Sequence, residues 1–435
     1  MRHIIFISKM VWFFYMPLEY KFKAKPYDEV LKSALQAFPQ KAAYELVHVS
    51  EALGRRVAED VHAPFDIPRK NIAFYDGYAV RHEDTKGATA SNPIKLRVIG
   101  LVLKDGEEVG LRVEKGTAAY LSANSPLPEG ADAVIREEFT SRQGDYVLVK
   151  KEAELYEDVV LRGEDVKKSE VLISRGSVIR PQDQVLLLEI GLTRVKVYRE
   201  PIIGIASVGD EHLERFEKGI PYPDNYSFLL SSTLRLIGCK TVSLGIFRDD
   251  PEEIAELISK NIDYYDALTL IGGASRGMKD YTGMGVEKIG EVIFHGTTLS
   301  PGKVSGVCKV NGKPVFIVPG HIGSAASCIY NIIVPIISKT YYDGVELLPK
   351  VLAKLTTSVE ARPESYTFRT VSLEWCNDGL NATPHLRRLG GSTLITILSK
   401  AGGFILIPPG VKLSAGEIVK VTLLNPLEAF SWKSS

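Results

Sequence analysis

Between residues 201 and 342, short apolar runs alternate with helical patterns, and this rhythm restricts the fold more than any other feature of the chain. Strands that alternate with helices form mostly parallel sheets that are covered by helices on both faces. We therefore predict a central three-layer α/β domain over residues 199–345. The predicted strands are 202–206, 241–246, 267–271 and 314–318, and the predicted helices are 227–236, 252–260 and one that starts near Gly323.

The segments before and after this domain have other periodicities. From about Pro26 to Ala58 apolar residues recur at helical spacing, and helix and strand patterns resume over 181–198. We assign residues 1–60 and 155–198 to a helical linker domain.

Two further segments have the pattern of β structure. Residues 61–154 contain β-branched runs between turn signals, which predicts a small β domain inserted into the linker domain. Residues 346–435 again have short apolar runs between Gly and Pro turns, which predicts a C-terminal all-β domain. The runs in the inserted segment are 94–102, 117–121 and 146–150.

Composition excludes several classes of protein. A chain of 435 residues is long enough for about two to four domains. Lys plus Arg equals Asp plus Glu, at 53 each, so no global charge favours nucleic acid or an anionic membrane. The four cysteines form no CxxC pair, so we expect no thiolate metal site but buried thiols in a reducing compartment. We predict a cytoplasmic protein without nucleic-acid or membrane partners.

The N-terminal stretch 3–16 is apolar and aromatic, but Lys9 interrupts it and it is too short to span a bilayer. No small-residue cleavage site follows, so a secretory signal fits poorly. Three interpretations remain: a start site assigned too early, with Met10 or Met16 the true start; an extra strand or dimer-contact arm; and a membrane anchor. We favour the first.

Each predicted strand of the α/β domain ends in a loop that carries acidic, polar or glycine residues. Ligands of open parallel sheets bind beyond the carboxyl ends of the strands. Carboxylates that meet at one edge repel each other, so we predict a hard cation such as Mg²⁺ there. The loops are Gly209-Asp210-Glu211, Arg248-Asp249-Asp250, Gly272-Gly273-Ala274-Ser275 with Asp280 beyond, and Pro319-Gly320-His321; Asp224 precedes another helix.

The loop after Val318 enters a helix through small residues, among them Gly320 and Ser324. The free N–H groups and the positive dipole end of a helix start favour an anion. Ser300-Pro301-Gly302-Lys303 adds an ammonium group. Cation and oxyanion sites together suit phosphate or metal-oxyanion chemistry.

Each of these features also has an ordinary structural interpretation. Gly-Asp-Glu is typical of a turn with a helix cap, and Arg248-Asp249-Asp250-Pro251 of a helix start. Gly272-Gly273 is compatible with a tight turn, Lys303 with a solvated lysine and His321 with a helix-entry residue. Their presence on one predicted edge favours a site over separate structural roles.

Read together, these segments resemble the MoeA family, which includes the gephyrin E domain, over about residues 26–425. Individually the motifs are weak, but their common order is specific. They are Asp76-Gly77-Tyr78-Ala79-Val80 for M-D-G-Y-A; Pro128 to Val134 for P-E-G-A-D-A-V, with Glu138 downstream; Arg162-Gly163-Glu164-Asp165; Gly209-Asp210-Glu211; Arg248-Asp249-Asp250; Gly272-Gly273 with Asp280-Tyr281-Thr282; Pro301-Gly302-Lys303; and Gly391-Ser392.

The resemblance implies a multidomain α/β plus β fold with a MogA-like α/β domain and a C-terminal β-barrel. It implies an elongated homodimer whose active site lies between the α/β domain of one subunit and the β domains of the other. Adenylylated molybdopterin and molybdate or tungstate are the implied substrates, with Mg²⁺ as the cation. The adenylate is hydrolysed while the metal enters the dithiolene. A transient contact with a molybdopterin adenylyltransferase is also implied.

The resemblance assigns roles to individual residues. Asp210, Asp249 and Asp280 are expected to manage the cation and the phosphate chemistry, with Asp249 and Asp280 as metal ligands. Asp76 and Glu138 are expected to contribute from the inserted domain, and Lys303 to hold the oxyanion during catalysis. The remaining predicted substrate-binding residues are Asp224, Gly272, Gly273, Ser275, Pro301, Gly302, Gly320, Ser324 and Ser392.

The chain departs from the family pattern in its anion-binding loops. Ser300 replaces the first lysine of K-P-G-K-P, and His321 and Ile322 replace Asn and Pro of P-G-N-P. We therefore expect a lower oxyanion affinity, since a charge-assisted contact contributes about 1.5–3 kcal/mol. Two alternatives follow: a paralogue that binds molybdopterin or its adenylate without efficient insertion, and a gephyrin-like scaffold. Retention of the four aspartates, Asp76 among them, favours the transferase.

Overall fold

The computed structural model describes residues 24–102, 110–274, 280–377, 379–386, 395–424 and 431–432. The stretch 3–16 and the predicted site residues Ser275 and Ser392 lie outside the described residues. The chain divides into two compact units. The first unit comprises Met1–Val47, Gly54–Arg56 and Lys196–Ser435, and the second comprises His48–Leu53 and Val57–Val195. The finer domain boundaries given above remain predictions.

A six-stranded sheet forms the centre of the first unit, and all four predicted strands are confirmed. Its order is β2-β1-β3-β6-β5-β4, in which β2, β1, β3 and β6 are parallel and β5 is antiparallel to both of its neighbours, β6 and the edge strand β4. The strands are β1 (Ile202–Val208), β2 (Lys240–Phe247), β3 (Ala267–Gly272), β4 (Glu291–His295), β5 (Gly306–Val310) and β6 (Lys313–Val318).

The antiparallel edge, which makes the sheet mixed, follows from a tight turn between β5 and β6. Asn311 and Gly312 both have positive φ, at 49° and 71°. A two-residue Asn-Gly turn reverses the chain, so β5 must run against β6. This hairpin was not predicted above, although the Asn-Gly pair was its signal.

Helices cover the sheet, and the predicted helices 227–236 and 252–260 are confirmed with slightly wider bounds. The Asp250 side chain accepts from the Glu252 backbone N–H, with Pro251 in the first turn, which explains where one helix begins. The helices are α1 (Asp210–Glu217), α2 (Tyr226–Leu236), α3 (Pro251–Asn261), α4 (Tyr281–Glu287), α5 (Ile322–Cys328), a π segment (Ile329–Ile333) and α6 (Val334–Tyr341).

The core between sheet and helices consists mainly of apolar side chains. Ile254 and Ile258 of α3 are fully buried against Leu270 and Ile317 of the sheet. Cys239, Cys308 and Cys328 are buried as expected, and burial raises the pKa of each thiol. These cysteines therefore behave as small hydrophobic residues.

The continuous helical stretch Ile322–Tyr341 has the length and hydropathy of a membrane span, but 72% of its apolar window is buried inside the protein. Such burial is typical of the central helix of a globular core. Among the described residues, this is the one helix with those properties.

A hydrogen bond from the N-terminal helix compensates for a proline in this buried helix. Pro335 has no N–H to donate, so the Asn331 carbonyl four residues earlier lacks its usual helical partner. The Tyr27 hydroxyl donates to it instead, at 2.8 Å, and burial raises the pKa of that hydroxyl. Tyr27 begins the helix Tyr27–Ala37. The helical prediction is wrong beyond this helix, because Pro39 follows and a strand forms at Tyr44–His48.

The C-terminal segment of the first unit forms a closed five-stranded barrel, which confirms that prediction. The strand Tyr366–Cys376 pairs with neighbours on both sides and so closes the ring. The two-residue strand Leu299–Ser300 of the α/β region pairs in parallel with its start. The other barrel strands are Lys350–Leu355, Gly379–Pro384, Gly403–Ile407 and Ile418–Leu423; short flanking elements are Val359–Glu360, Lys412–Leu413, Ile395–Ser399 and Ser431–Trp432.

The second unit contains a six-stranded sheet, so the three predicted strands of the inserted segment are confirmed. Two small ladders and the helix Pro181–Glu189 complete the unit. In order across the sheet, the strands are Ala133–Arg136, Gly77–Val80, Thr117–Leu121, Ile94–Val102, Tyr146–Val149 and Thr140–Gln143; the ladders pair Val61–His62 with Val171–Ile173 and Ile72–Ala73 with Val159–Val160.

Removing the Tyr27 hydroxyl tests its compensating role. We expect Tyr27→Phe to lower the free energy of unfolding by about 1–3 kcal/mol, because the buried Asn331 carbonyl loses its partner. Urea denaturation measures the change. The control is Tyr264→Phe, at a side chain that is 79% exposed, and equal stabilities of the two variants would contradict the interpretation.

Candidate active site

The parallel strands bring the predicted loops to one edge of the sheet. Val208 of β1 lies in register with Phe247 of β2 and Gly272 of β3, and Ile271 of β3 with Val318 of β6. The loops that follow all leave from these carboxyl ends. The convergence that the strand pattern predicts is therefore present in the fold.

Two glycines let these loops approach each other closely. Gly272 has a φ of +92°, and a Cβ there would lie 2.1 Å from the Val208 carbonyl oxygen. A Cβ on Gly273, whose φ is +61°, would lie 2.5 Å from the Thr282 hydroxyl and 3.3 Å from Asp249 Oδ1. The ends of β1 and β3 thus meet at a distance that a side chain on either glycine would prevent.

Asp210 and Asp249 form the acidic part of this edge. The Asp249 N–H lies 3.4 Å from Asp210 Oδ1, at the limit of a hydrogen bond. Asp249 Oδ1 is buried and has no hydrogen-bond partner among the described residues. Burial raises the pKa of the Asp249 carboxyl, and the charges of Glu211 and Asp210 raise it further. A cation placed against this oxygen would relieve both effects.

Asp280 lies at the start of α4 and is fully buried. Its Oδ1 accepts from the Gly283 N–H at 3.2 Å, and its Oδ2 lies 3.2 Å from Nδ1 of His295. In this arrangement Asp280 caps a helix and faces an imidazole. Asp249 Oδ1 has no hydrogen-bond partner among the described residues, whereas Asp280 accepts from the Gly283 N–H and lies beside His295.

Asp224 is placed by local structure at the start of α2. It is 6% exposed and accepts from the Ser207 hydroxyl and from the Tyr226 N–H at 3.0 Å. These bonds tie the end of β1 to α2. Asp224 therefore holds the start of α2 against the end of β1, next to the acidic edge.

The loop with Pro301, Gly302 and Lys303 packs against the start of the buried helix. Gly302 has a φ of +119°, and a Cβ there would lie 3.4 Å from the Ser327 hydroxyl oxygen. The Ser305 hydroxyl donates to the Gly302 carbonyl at 2.7 Å. Lys303 is half-buried, so this ammonium stays accessible at the loop surface.

The helix that follows β6 begins at Ile322 and presents small residues. Gly320 is exposed, Ser324 is half-buried, and a Cβ on Gly320 would lie 3.7 Å from the Gly272 Cα. His321 precedes the helix and makes no side-chain cap hydrogen bond. The helix start is thus next to the glycine turn, and N–H groups at a helix start favour an anionic ligand.

Asp76 and Glu138 lie at one end of the sheet in the second unit. Gly77 pairs with Arg136. Asp76 directly precedes Gly77 and Glu138 follows Arg136 by two residues, so both carboxylates lie at the same end of the sheet. Both side chains are exposed, and Asp76 Oδ1 accepts from the Ala123 N–H at 2.8 Å. They form a second acidic edge.

Within the residues that the structure describes, no three His, Cys, Asp or Glu side chains are grouped as a metal site. This finding does not test the predicted Mg²⁺. Octahedral Mg²⁺ is usually held by one or two carboxylates, with water and substrate phosphates as the other ligands.

His295 was not among the residues predicted above. It is the last residue of β4, and its side chain is 5% exposed beside Asp280. Burial lowers the pKa of His295, and a hydrogen bond with the Val304 backbone opposes that effect. A single histidine in a strand gives no sequence signal that it will lie beside a buried aspartate.

Comparison with known proteins identifies the family. Residues 25–191 match the MoeA N-terminal region (domain I and II), residues 204–339 match the "Probable molybdopterin binding domain", and residues 353–424 match the MoeA C-terminal region (domain IV). A molybdopterin biosynthesis protein of Methanocaldococcus jannaschii is 34% identical over 87% of this chain and 92% of its own length. The chain belongs to the MoeA family.

Two other relatives agree with this assignment. The molybdopterin molybdenumtransferase of Bacillus subtilis is 27% identical, over 94% of this chain and 96% of that one. A crystal structure of the molybdopterin biosynthesis MoeA protein from Pyrococcus horikoshii has a TM-score of 0.75 and 32% identity, and covers 93% of this chain and 100% of its own. The MoeA fold therefore extends over nearly the whole chain.

The glycine contact in this MoeA-family protein can be tested directly. We expect Gly272→Ala to lower the free energy of unfolding by at least about 2 kcal/mol, because its Cβ would overlap the Val208 carbonyl. The control Gly245→Ala has a φ of +101° but no atom within 4 Å of its Cβ, so it should cost about 1 kcal/mol. Equal losses, measured by chemical denaturation, would show that the contact adds nothing to the backbone strain.

The raised pKa of Asp249 predicts a pH-dependent stability. A carboxyl whose folded-state pKa lies above the ordinary value of 3.8 destabilises the fold as pH rises through and above that value. We expect Asp249→Asn to raise the thermal midpoint at pH 7 in chelator-treated protein, with a gain that shrinks toward pH 4. Glu291→Gln, at an exposed position, is the control. A gain that does not depend on pH would contradict the electrostatic cause.

Proposed function

We propose that this protein is a molybdopterin molybdenumtransferase that acts in molybdenum cofactor biosynthesis. It would bind adenylylated molybdopterin and molybdate or tungstate, hydrolyse the adenylate and release the metallated cofactor. The observation that carries this proposal is the acidic pair Asp210 and Asp249 beside the glycine turn Gly272-Gly273. The relative from Bacillus subtilis that bears this name matches almost the full chain.

The substrates have the chemistry that this edge accommodates. An adenylate phosphate and a tetrahedral oxyanion both carry negative charge, which backbone N–H groups at a helix start and an ammonium stabilise. Gly272, Gly273 and Gly320 let such groups approach the backbone. Lys303, Ser324 and, from the barrel segment, Ser392 would hold the oxyanion, with Pro301 and Gly302 shaping the lysine loop.

Asp249 and Asp210 fit a Mg²⁺ ion that is completed by the substrate. Asp249 Oδ1 is buried and lacks a hydrogen-bond partner among the described residues, and burial, followed by the charges of Glu211 and Asp210, raises the pKa of its carboxyl, which a cation would oppose. When bound, Mg²⁺ would neutralise charge that develops on the adenylate phosphate. Asp280 would hold this edge in place through the start of α4, and Asp224 through its bonds to β1 and α2. Ser275, which lies outside the described residues, is proposed as a substrate-binding residue from the sequence alone.

The remaining parts of the proposal concern assembly and location. Asp76 and Glu138 belong to the other compact unit, and we propose that a homodimer brings these carboxylates to the substrate. A molybdopterin adenylyltransferase would deliver the adenylate in a transient contact. A reducing cytoplasm suits three buried free thiols.

The direct test supplies purified protein with adenylylated molybdopterin, Mg²⁺ and either molybdate or tungstate. We expect release of AMP and formation of metallated cofactor, with oxyanion concentration dependence that identifies the preferred metal. Asp249→Asn should lower kcat about 10²-fold or more, the scale seen when one electrostatic group of a reacting site is removed. Glu291→Gln should retain activity.

Binding of the adenylate without AMP release, under either oxyanion, would exclude the transferase and favour a binding paralogue. A scaffold would instead bind a protein partner with an affinity that Asp280→Ala leaves unchanged. Chromatography with light scattering tests the proposed dimer independently of activity.

A further inference from the structure

His295 lies where two loops of the proposed site meet the edge strand β4. Its Nδ1 is 3.2 Å from Asp280 Oδ2, and its ring is hydrogen-bonded to the Val304 backbone. Gly306 is its register partner on β5, and a Cβ on Gly306 would lie 3.0 Å from the imidazole Cδ2. The ring is thus confined by two parts of the chain that are distant in sequence, the start of α4 and the segment 304–306.

The two polar partners of His295 belong to opposite sides of the proposed site. Asp280 starts α4, whose Thr282 hydroxyl donates to the Gly272 carbonyl at 3.0 Å, so it belongs to the acidic, cation side. Val304 directly follows Lys303, so it belongs to the oxyanion side. One imidazole therefore spans both sides.

Other hydrogen bonds of the lysine loop are local. The Thr297 N–H donates to the Lys303 carbonyl at 2.9 Å, and the Ser305 N–H to the Gly302 carbonyl at 3.0 Å. These bonds shape the loop but do not tie it to Asp280. His295 supplies that tie through a rigid planar ring in a buried environment.

We propose that His295 is a positioning residue that holds the Lys303 loop at a fixed distance from the Asp280 helix start. This inference rests on the proposed function, in which the two sides act on one substrate. Displacement of a binding group by about 1 Å can cost about 10²-fold in rate. A rigid buried link between the two sides would keep the ammonium in register with the acidic edge.

The test compares His295→Leu with His295→Asn in the full-length protein. Leu removes both polar contacts, whereas Asn keeps a donor near the Nδ1 position. The control is Val292→Ala, which shortens a half-buried side chain on the same strand and so matches the packing loss.

We expect His295→Leu to raise the KM for molybdate about tenfold while kcat falls less. Hydrogen–deuterium exchange of residues 301–305 should rise selectively in that variant. His295→Asn, which keeps a donor near the Nδ1 position, should recover part of the loss in KM and part of the loop protection, as a positioning role through these contacts requires. Val292→Ala should lower the midpoint but leave both the KM and the exchange of the loop unchanged.

A KM and a loop exchange in His295→Leu that equal those of Val292→Ala would overturn the positioning role. The exchange measurement separates this inference from the proposed function. If the unmodified protein releases no AMP, the transferase assignment fails, while a selective rise in loop exchange still supports the link. If AMP is released but the loop exchange in His295→Leu is unchanged, only the positioning role of His295 is excluded.

Discussion

The approach of Gly272 to the Val208 carbonyl is the contact on which the proposed site depends. A Cβ at Gly272 would lie 2.1 Å from that oxygen, so the ends of β1 and β3 come this close only where the side chain is absent. This closeness brings Gly273 next to Asp249 and sets Gly320 against the same turn. The acidic loop, the glycine turn and the helix start are neighbours because Gly272 has no side chain.

That packing has an electrostatic cost, since Asp249 is partly buried near Asp210 and Glu211 and its pKa is raised. Like charges in a partly desolvated place destabilise a fold unless a ligand compensates them. The surroundings of Asp280 differ, because a helix N–H and an imidazole lie beside its carboxylate. The two aspartates at this edge therefore differ in their surroundings: Asp249 Oδ1 is buried without a hydrogen-bond partner among the described residues, and Asp280 caps α4 beside His295.

The departures from the family pattern also concern charge and backbone contacts at the proposed site. Ser300, in place of a lysine, lies in a two-residue strand whose backbone pairs with the barrel at Thr367. At this position the main chain anchors the loop, and one cation fewer is available to an anion. Under the proposed function, Lys303 and the backbone N–H groups at Ile322 are donors to the anion among the described residues, so the proposed link through His295 would fix the position of one of them.

The sequence by itself determined the four parallel strands, the covering helices and the polar residues at each strand end, because apolar runs and glycine or acidic loops are local patterns. It also contained the Asn311-Gly312 turn, although the antiparallel edge was not deduced from it. Only the tertiary structure decided that Asp249 Oδ1 is buried without a hydrogen-bond partner among the described residues, and that His295 lies beside Asp280. Such facts depend on contacts between segments distant in the chain, and burial and hydrogen bonding cannot be read from local spacing.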